Sequence, residues 1–359
     1  MTRTIAISVD QLWRPQPGGI GTYVRGLARG IASLGDAGLD AIGVAPRGAR
    51  TERSDLAIPV TTAPLSPAML LRIWSLWPLG VPSDANVVHA TSMAGPFGGG
   101  RRDAVHSVAM HDMLWRDEPS ASTGSGVRFH ERRLRLIASR SNLRVLVTSP
   151  GLAERLRAEG IDAQRIHDVR LGVDDDEVDA SSPSQVAQLL ARYDVAGPFV
   201  FYAGTVEPRK NLERLVEAHR SACRIEPGLG PLVLAGPRGW GDVSTIGAVE
   251  LGLVTRAMLK GLYRDASVVA YVPRSEGWGL PPVEALHAGT RVVASTTTPS
   301  VRANGEVVHV DPLDVESIAA GLVDAARLDD GELARARRRA SVSDLTWRNV
   351  ALDHLASWA

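Results

Sequence analysis

Two carboxylates, Glu276 and Glu284, with seven residues between them, lie inside Ser275-Glu276-Gly277-Trp278-Gly279-Leu280-Pro281-Pro282-Val283-Glu284-Ala285-Leu286, a segment that follows a strand pattern and opens a helix. Glycine at 277 and 279 lets backbone approach a ligand closely, and a helix beginning near Pro281 aims N–H groups and the positive end of its dipole at an anion. A diphosphate answers that description, with Gly277, Trp278, Gly279 and Leu280 as its candidate contacts. Glu276 in the loop and Glu284 in the first turns of the helix offer acceptors to vicinal hydroxyls, which sugar and ribose both carry. The plain alternative is a dipole-favoured glutamate and two turn-forming glycines.

Arg209 and Lys210, within Gly204-Thr205-Val206-Glu207-Pro208-Arg209-Lys210-Asn211-Leu212, put two cations at a strand-to-helix turn. A pyrophosphate would find charge and N–H donors there together, although an isolated basic pair can equally be solvated. His111-Asp112 ends the strand pattern Ser107–Met110 and so falls at the carboxyl edge of a parallel sheet, where open α/β folds bind ligands; a lone His-Asp pair also serves as a structural hydrogen bond. Pro17-Gly18-Gly19-Ile20-Gly21-Thr22-Tyr23-Val24 follows the first strand but is not a dinucleotide fingerprint. Eight residues separate Asp10 from Gly19, and Val24 stands where the third glycine belongs. A ligand loop and a flexible surface loop both remain open for it.

These residues need strand ends and helix starts to hold them. Strand patterns run at Thr4–Val9, Leu39–Ala45, Asn86–His89, His106–Met110, Arg144–Thr148 and Ile166–Leu171, with amphipathic stretches at Gly21–Leu34, Val127–Arg140 and Gly151–Glu159. Such alternation predicts a parallel sheet covered on both faces. It breaks at Asp174-Asp175-Asp176-Glu177 and Ser181-Ser182-Pro183-Ser184, which marks a linker over 176–197. A second series follows, with strands at Phe199–Ala203, Leu232–Ala235, Ser267–Val272, Arg291–Ala294 and Val307–Val310 and helices after Asn211, Thr255, Leu280, Asp314 and Asp330. The expected organisation is a domain over 1–175, the linker, a second doubly wound domain over 198–343, and a last helix over 344–359 that packs back on the first domain.

The Glu276-to-Glu284 spacing, the segment from Gly204 to Leu212, and Ala109-Met110-His111-Asp112 with Trp115 and Pro119 resemble retaining glycosyltransferases of family 4, in their mannosyltransferase-like subgroup. Arg170-Leu171-Gly172-Val173-Asp174 is similar to that family's lead into its linker, and the likeness runs through the whole chain in order. The resemblance implies the α/β glycosyltransferase B fold, two Rossmann-like domains facing each other across a cleft that binds a nucleotide diphosphate-sugar. It implies transfer of a hexose, with retention, to a hydroxyl of a glycan, lipid-linked or small-molecule acceptor bound by the first domain. In that reading His111, Asp112 and Glu276 are catalytic, with His111 beside the transferred sugar and Glu276 on its hydroxyls. Glu284 holds the ribose, and Gly18 and Gly19 approach the distal phosphate. Arg209, Lys210, the glycine loops and the helix dipole can stabilise the leaving diphosphate, so neither metal nor cofactor is expected. GDP-mannose is the expected donor, because the His-Asp subgroup contains many mannosyltransferases. Two positions depart from the family: Thr205 replaces an Arg common after the glycine, and Ser300 replaces the Glu of a Pro-Glu-Val segment.

The 359 residues carry 40 Lys+Arg against 40 Asp+Glu, a balance that does not suggest a nucleic-acid partner. Cys223 is the single cysteine, and Thr4–Val9 enters a strand pattern without a leader's basic and apolar regions, which together predict a cytoplasmic protein, peripheral at the inner face of the membrane in one variant. Arg337-Arg338-Arg339 reads as a solvated helix face. Leu65–Trp77 reads as a helix from near Pro67 with stripes Met69, Ile73, Leu76 and Leu70, Trp74, Trp77, leaving Arg72 and Ser75 to water. Either neighbouring loops bury both stripes, or Leu70, Trp74 and Trp77 meet a lipid-linked acceptor or membrane. The competing functions are a non-catalytic nucleotide-sugar-binding protein and a sugar-nucleotide epimerase.

Overall fold

The computed structural model describes residues 3–14, 17–35, 38–49, 56–119, 123–173 and 179–359. The chain forms two compact units, the first comprising 1–174 and 345–359, the second 175–344.

The first unit runs β1 (Arg3–Ser8), α1 (Gly18–Ala32), β2 (Leu39–Ala45), β3 (Val60–Thr62), α2 (Pro67–Ile73), β4 (Val87–Ala90), β5 (Val105–Met110), α3 (Leu114–Asp117), α4 (Gly124–Ala138), β6 (Leu143–Val147), α5 (Pro150–Ala158) and β7 (Ile166–Asp168). All pairings are parallel, in the order β3-β2-β1-β4-β5-β6-β7. Helix starts carry oxygen caps: Thr123 accepts the Gly126 N–H ahead of α4, and Ser149 that of Leu152 ahead of α5.

In the second unit α6 (Pro183–Ala191) precedes β8 (Val200–Ala203), α7 (Leu212–Ile225), β9 (Leu232–Ala235), β10 (Ala248–Gly252), α8 (Arg256–Asp265), β11 (Val268–Tyr271), α9 (Leu280–His287), β12 (Val292–Ser295), β13 (Val307–Val310), α10 (Val315–Arg327) and α11 (Glu332–Ala340). The parallel order is β10-β9-β8-β11-β12-β13. Strands such as Val268–Tyr271 are apolar and buried at every position, as a sheet covered on both faces requires. In each sheet the strand order reverses once, between β1 and β4 and between β8 and β11, and those switch points are where such folds open a crevice at the carboxyl ends.

The chain then returns to the first unit as α12 (Trp347–Trp358). It lies against α1 along Gly26 and Gly30: a Cβ at Gly30 would come within 2.0 Å of the Trp347 carbonyl oxygen. A buried polar chain fixes its far end. Tyr23 Oη is 2.7 Å from both His89 Nε2 and His354 Nε2, His89 Nδ1 is 2.9 Å from Ser107 Oγ, and His354 Nδ1 is 2.7 Å from the Val350 carbonyl. A carbonyl only accepts, so His354 Nδ1 carries the proton. Burial depresses His354 to about 4, which leaves Nε2 bare to accept from Tyr23. Tyr23 in turn accepts from His89 Nε2–H, Ser107 donates to His89 Nδ1, and the Trp358 indole donates to Ser107 at 2.9 Å. Each proton position follows from the one before it.

Several expectations need correction. Gly18 and Gly19 open α1 rather than lying in a loop ahead of it, Gly18 taking a left-handed φ of 58 that its missing side chain permits. Asp174–Glu177 lie outside the described residues, and the Ser/Pro-rich stretch read as linker contains a capping box, Ser182 with Gln185, that starts α6 against α8. The helix from Pro67 ends at Ile73, so its stripes do not continue: Leu70 and Trp74 are 1% exposed, Ser75 is buried, and Met69, Leu76 and Trp77 face outward. Leu70 and Trp74 therefore cannot be surface contacts. Arg338 is buried, not solvated, donating to the Gly289 carbonyl at 3.0 Å and to Asp330 at 2.8 Å.

Replacing Gly30 by Ala should destabilise the fold by about 1–3 kcal/mol in urea unfolding, since backbone rather than a pliable side chain must give way; an unchanged midpoint would contradict the α1–α12 contact. Unfolded His354 takes a proton near 6.5, but the folded protein does not until about 4. Stability is thus full above pH 6.5 and falls as pH drops toward 4, by ~2 kcal/mol at pH 5 for this one group. His354→Gln, which keeps an acceptor for Tyr23, should flatten that slope between pH 7 and 5; parallel slopes would refute the assignment.

Candidate functional site

Three chain segments converge at the switch point of the second sheet. After β8 a 3-10 turn, Pro208–Lys210, presents the basic pair, and Asn211 closes it at φ 64. That left-handed position suits asparagine, whose Nδ2 donates to the carbonyls of Val272 (3.0 Å) and Pro312 (2.7 Å) and so ties the turn to the end of β11. After β11 the chain runs through Val272 to Glu276, and the amide of Arg274 donates to the Arg209 carbonyl at 3.1 Å.

Glu276 Oε2 accepts from Arg209 Nη1 at 2.9 Å, Lys210 Nζ at 2.5 Å and Tyr271 Oη at 2.5 Å, while Oε1 accepts the Gly277 N–H at 3.2 Å. Arg209 Nη2 donates to Glu207 Oε1 at 2.6 Å. Lys210 Nζ also reaches Tyr271 Oη at 2.5 Å and lies 5.0 Å from the ring centroid, nearly in line with centre and hydroxyl, so the contact is a hydrogen bond rather than a cation over a ring face. Burial alone would raise the Glu276 carboxyl, but Lys210 and Arg209 hold it at about 2. Burial lowers Lys210 while Glu276 opposes the shift.

Glu284 stands apart from this cluster. It accepts from Tyr263 Oη at 2.7 Å, and burial raises its carboxyl against the opposing Tyr263, Arg256 and Lys260. The start of α9 offers fewer donors than a helix N-terminus usually does, because Pro281 and Pro282 lack N–H groups. Leu280, which ends the loop from Gly277, is the last residue ahead of the two prolines that carries an N–H. Ser300 braces this loop, its N–H donating to the Trp278 carbonyl at 3.0 Å and its hydroxyl to that of Gly279 at 2.6 Å.

In the first unit His111 follows β5, and Asp112 accepts the Leu114 N–H at 3.1 Å in the turn that leads into α3. His111 Nε2 faces the Thr91 carbonyl at 2.9 Å and is therefore the donor, which leaves Nδ1 as the acceptor of the neutral ring. Burial lowers its pKa. Tyr23 of the buried chain packs edge-on against its ring, 5.0 Å between centroids. His111 and Asp112 line a cavity of about 320 Å³ with Gln11, Ser92, Trp115 and Phe129. Ile20 of the α1 start lines it too, one residue beyond Gly18 and Gly19, and no side chain caps that start.

The structure thus brings Arg209, Lys210, Glu276 and the 277–280 loop together, and His111, Asp112 and the α1 start together, and keeps Glu284 separate on Tyr263. Sequence reasoning missed Tyr271, Glu207, Tyr263 and Gln11. Only Glu207, two residues before Arg209, stood inside a segment already singled out; an apolar strand gives no sign that a tyrosine at its end carries a buried hydroxyl.

Residues 18–172 match the glycosyl transferase 4-like domain and residues 197–327 the glycosyl transferases group 1 family. The O-antigen chain mannosyltransferase B of Escherichia coli is 31% identical over 264 residues, 70% of this chain and 69% of that protein. Among solved structures, Anabaena Alr3699/HepE in complex with UDP and glucose superposes with a TM-score of 0.72 at 14% identity, over 99% of both chains. The sucrose-phosphate synthase of Thermosynechococcus elongatus does so at 0.71 and 18% identity, over 99% of this chain and 98% of that one. These structures share the glycosyltransferase B fold with this chain.

Proposed function

The chain belongs to the group 1 glycosyltransferases with a glycosyl transferase 4-like first domain, and from that premise we propose that it transfers a hexose from a nucleotide diphosphate-sugar to a hydroxyl acceptor with retention of configuration and without a metal ion. The observation that carries this reading is the convergence of Arg209, Lys210 and Glu276 at the β8/β11 switch point. Two fixed cations in a desolvated setting can hold a leaving diphosphate, the work a divalent cation does elsewhere. Glu276 serves the hydroxyls of the transferred sugar, and Glu284, its second oxygen left for a ligand by Tyr263, serves the ribose. The amides of Gly277, Trp278, Gly279 and Leu280 complete the phosphate contacts. For the first unit, the roles are His111 at the transferred sugar, Gly18 and Gly19 at the distal phosphate, and the cavity beside His111 and Asp112 for the acceptor. Mannose is the favoured sugar, on the strength of the mannosyltransferase relative, which makes GDP-mannose the favoured donor.

Arg209→Ala combined with Lys210→Ala should weaken binding of a nucleoside diphosphate at least about tenfold, roughly 1.4 kcal/mol, and leave the nucleoside unaffected in calorimetry. Equal loss for both would place the pair away from the phosphates. Wild-type turnover should persist in excess EDTA.

A peripheral membrane position is the second reading. Among the described residues no helix is long and apolar enough to cross a membrane. Met69, Leu76 and Trp77 form an exposed apolar group, Trp77 at 59%, beside exposed Arg72, a composition suited to an anionic lipid surface. Leu76→Ser with Trp77→Ser should keep the melting temperature within a few degrees and abolish cosedimentation with anionic vesicles, whereas Trp74→Ser should cost roughly 3 kcal/mol of stability. A wild type that does not cosediment at low salt excludes this reading.

A further inference from the structure

We propose that Glu276 is an internal stand-in for the donor's diphosphate: in the ligand-free protein its carboxylate occupies Arg209 and Lys210, and a diphosphate arriving on those cations releases it to the hydroxyls of the transferred sugar. The proposal rests on the reading of Arg209 and Lys210 as the diphosphate site.

The argument begins with acceptor capacity. A carboxylate oxygen has two lone-pair directions, and Glu276 Oε2 already receives three donors, at 2.9, 2.5 and 2.5 Å. The other oxygen takes the Gly277 amide. In this state Oε2 is saturated and Oε1 keeps one acceptor site, too few for two vicinal hydroxyls, so holding both hydroxyls of the sugar requires that the carboxylate first be let go. The donors are in the complementary position. Arg209 has Nη1 on Glu276 and on the Ser275 carbonyl and Nη2 on Glu207, and Lys210 Nζ points at Glu276 and Tyr271. The side chains of Arg209, Lys210 and Glu276 are 13%, 10% and 14% exposed, so a lost partner is costly at each of them. A diphosphate that takes the Nη1 and Nζ donors now on Glu276 must displace that carboxylate.

Electrostatics drives the exchange one way. The cluster of Arg209, Lys210, Glu207 and Glu276 is neutral as it stands. A diphosphate brings at least two negative charges to the same donors, and a carboxylate held there beside them would meet like charge at contact distance. Glu207 on Arg209 Nη2 can stay and keep the guanidinium oriented, while Glu276 sits in the loop between β11 and α9 with Gly277 next to it, where a change of backbone and side-chain conformation costs least. Recognition of the sugar then depends on recognition of the diphosphate: a free hexose cannot unseat the carboxylate, and the hexose of an intact donor finds it already released. A purely structural salt bridge predicts the reverse, since a Glu276 that only orients the two cations would be needed for phosphate binding.

Calorimetry with GDP, UDP, guanosine, uridine and the matching nucleotide-sugars separates the two, using the full chain and Glu276→Gln. The exchange predicts that E276Q binds the diphosphates tenfold or more tighter than wild type, binds the nucleosides equally, and loses whatever affinity the sugar adds in the wild type. Diphosphate affinity in E276Q equal to or below wild type, with Arg209→Ala/Lys210→Ala still selective against diphosphate, overturns the exchange and leaves the site reading standing. Loss of that selectivity in the double variant overturns both. Should E276Q fail to fold, a wild-type crystal structure with the diphosphate bound decides: Glu276 off both cations supports the exchange, and Glu276 still on them refutes it.

Discussion

Lys210 Nζ lies among the ends of β8 and β11 in a residue that is 8% exposed, where an isolated ammonium would carry several kcal/mol of desolvation. The carboxylate of Glu276 meets it, and most of the geometry around it follows from keeping that pair in place. Asn211 accepts a left-handed backbone so that the basic turn stays tied to β11. Tyr271 ends an otherwise apolar strand with a hydroxyl that bridges cation and anion. Glu207 balances Arg209, so two cations and two carboxylates make a group that is neutral as it stands. Such a group contributes little to stability, because desolvation consumes the Coulomb energy; what it fixes is the position of its two cations.

The first unit meets a similar problem without an ion pair. Its buried groups at the sheet's centre are two neutral imidazoles, a phenol, a hydroxyl and an indole, linked so that each proton has one acceptor. A satisfied neutral chain can be fully dry, which is why α12 closes over it with Trp358 buried. The same chain presents the edge of Tyr23 to His111, so the returning helix bears on the environment of a candidate catalytic ring although no residue of α12 touches it in the contacts described. Arg133, deeply buried nearby, is likewise met by the rings of Phe97 and Phe129, each 5.1 Å away, and burial lowers its pKa to about 10.

What the sequence disclosed and what it hid divide along the range of the interactions. Central strands were legible because a β-branched run buried on both faces is a local pattern, and helix starts because Thr255, Asp314 and Thr346 cap within three residues. The edge strands β3 and β10 went unread: one has three residues, and the other breaks register at Glu250. The two stripes of α2 were drawn on an ideal helix, and its end at Ile73 reassigned every side chain beyond. Arg338 looked solvated because its partners, Asp330 and Gly289, are eight and 49 positions away. Of the site, the basic turn and the glutamate segment could be found separately, since each is contiguous; that they share one oxygen atom of Glu276 is a relation across 66 residues that no local pattern carries.

Long-range closure also explains why the chain's two ends matter to the same unit. Arg3 Nη2 donates to the Trp358 carbonyl at 2.5 Å, and Arg144 reaches the Ser357 carbonyl, so the last turn of α12, whose carbonyls would otherwise lack partners, is satisfied by two strands of the first sheet. Gly26 leaves room for the Trp347 ring and Gly30 for the Trp347 carbonyl, which brings α12 close against α1. The helix that α12 clamps is also the one that brings Ile20 to the cavity it lines with His111. α12 is therefore part of the scaffold of the first unit, set in place by glycines and buried hydroxyls that leave no sign of themselves in the spacing of the sequence.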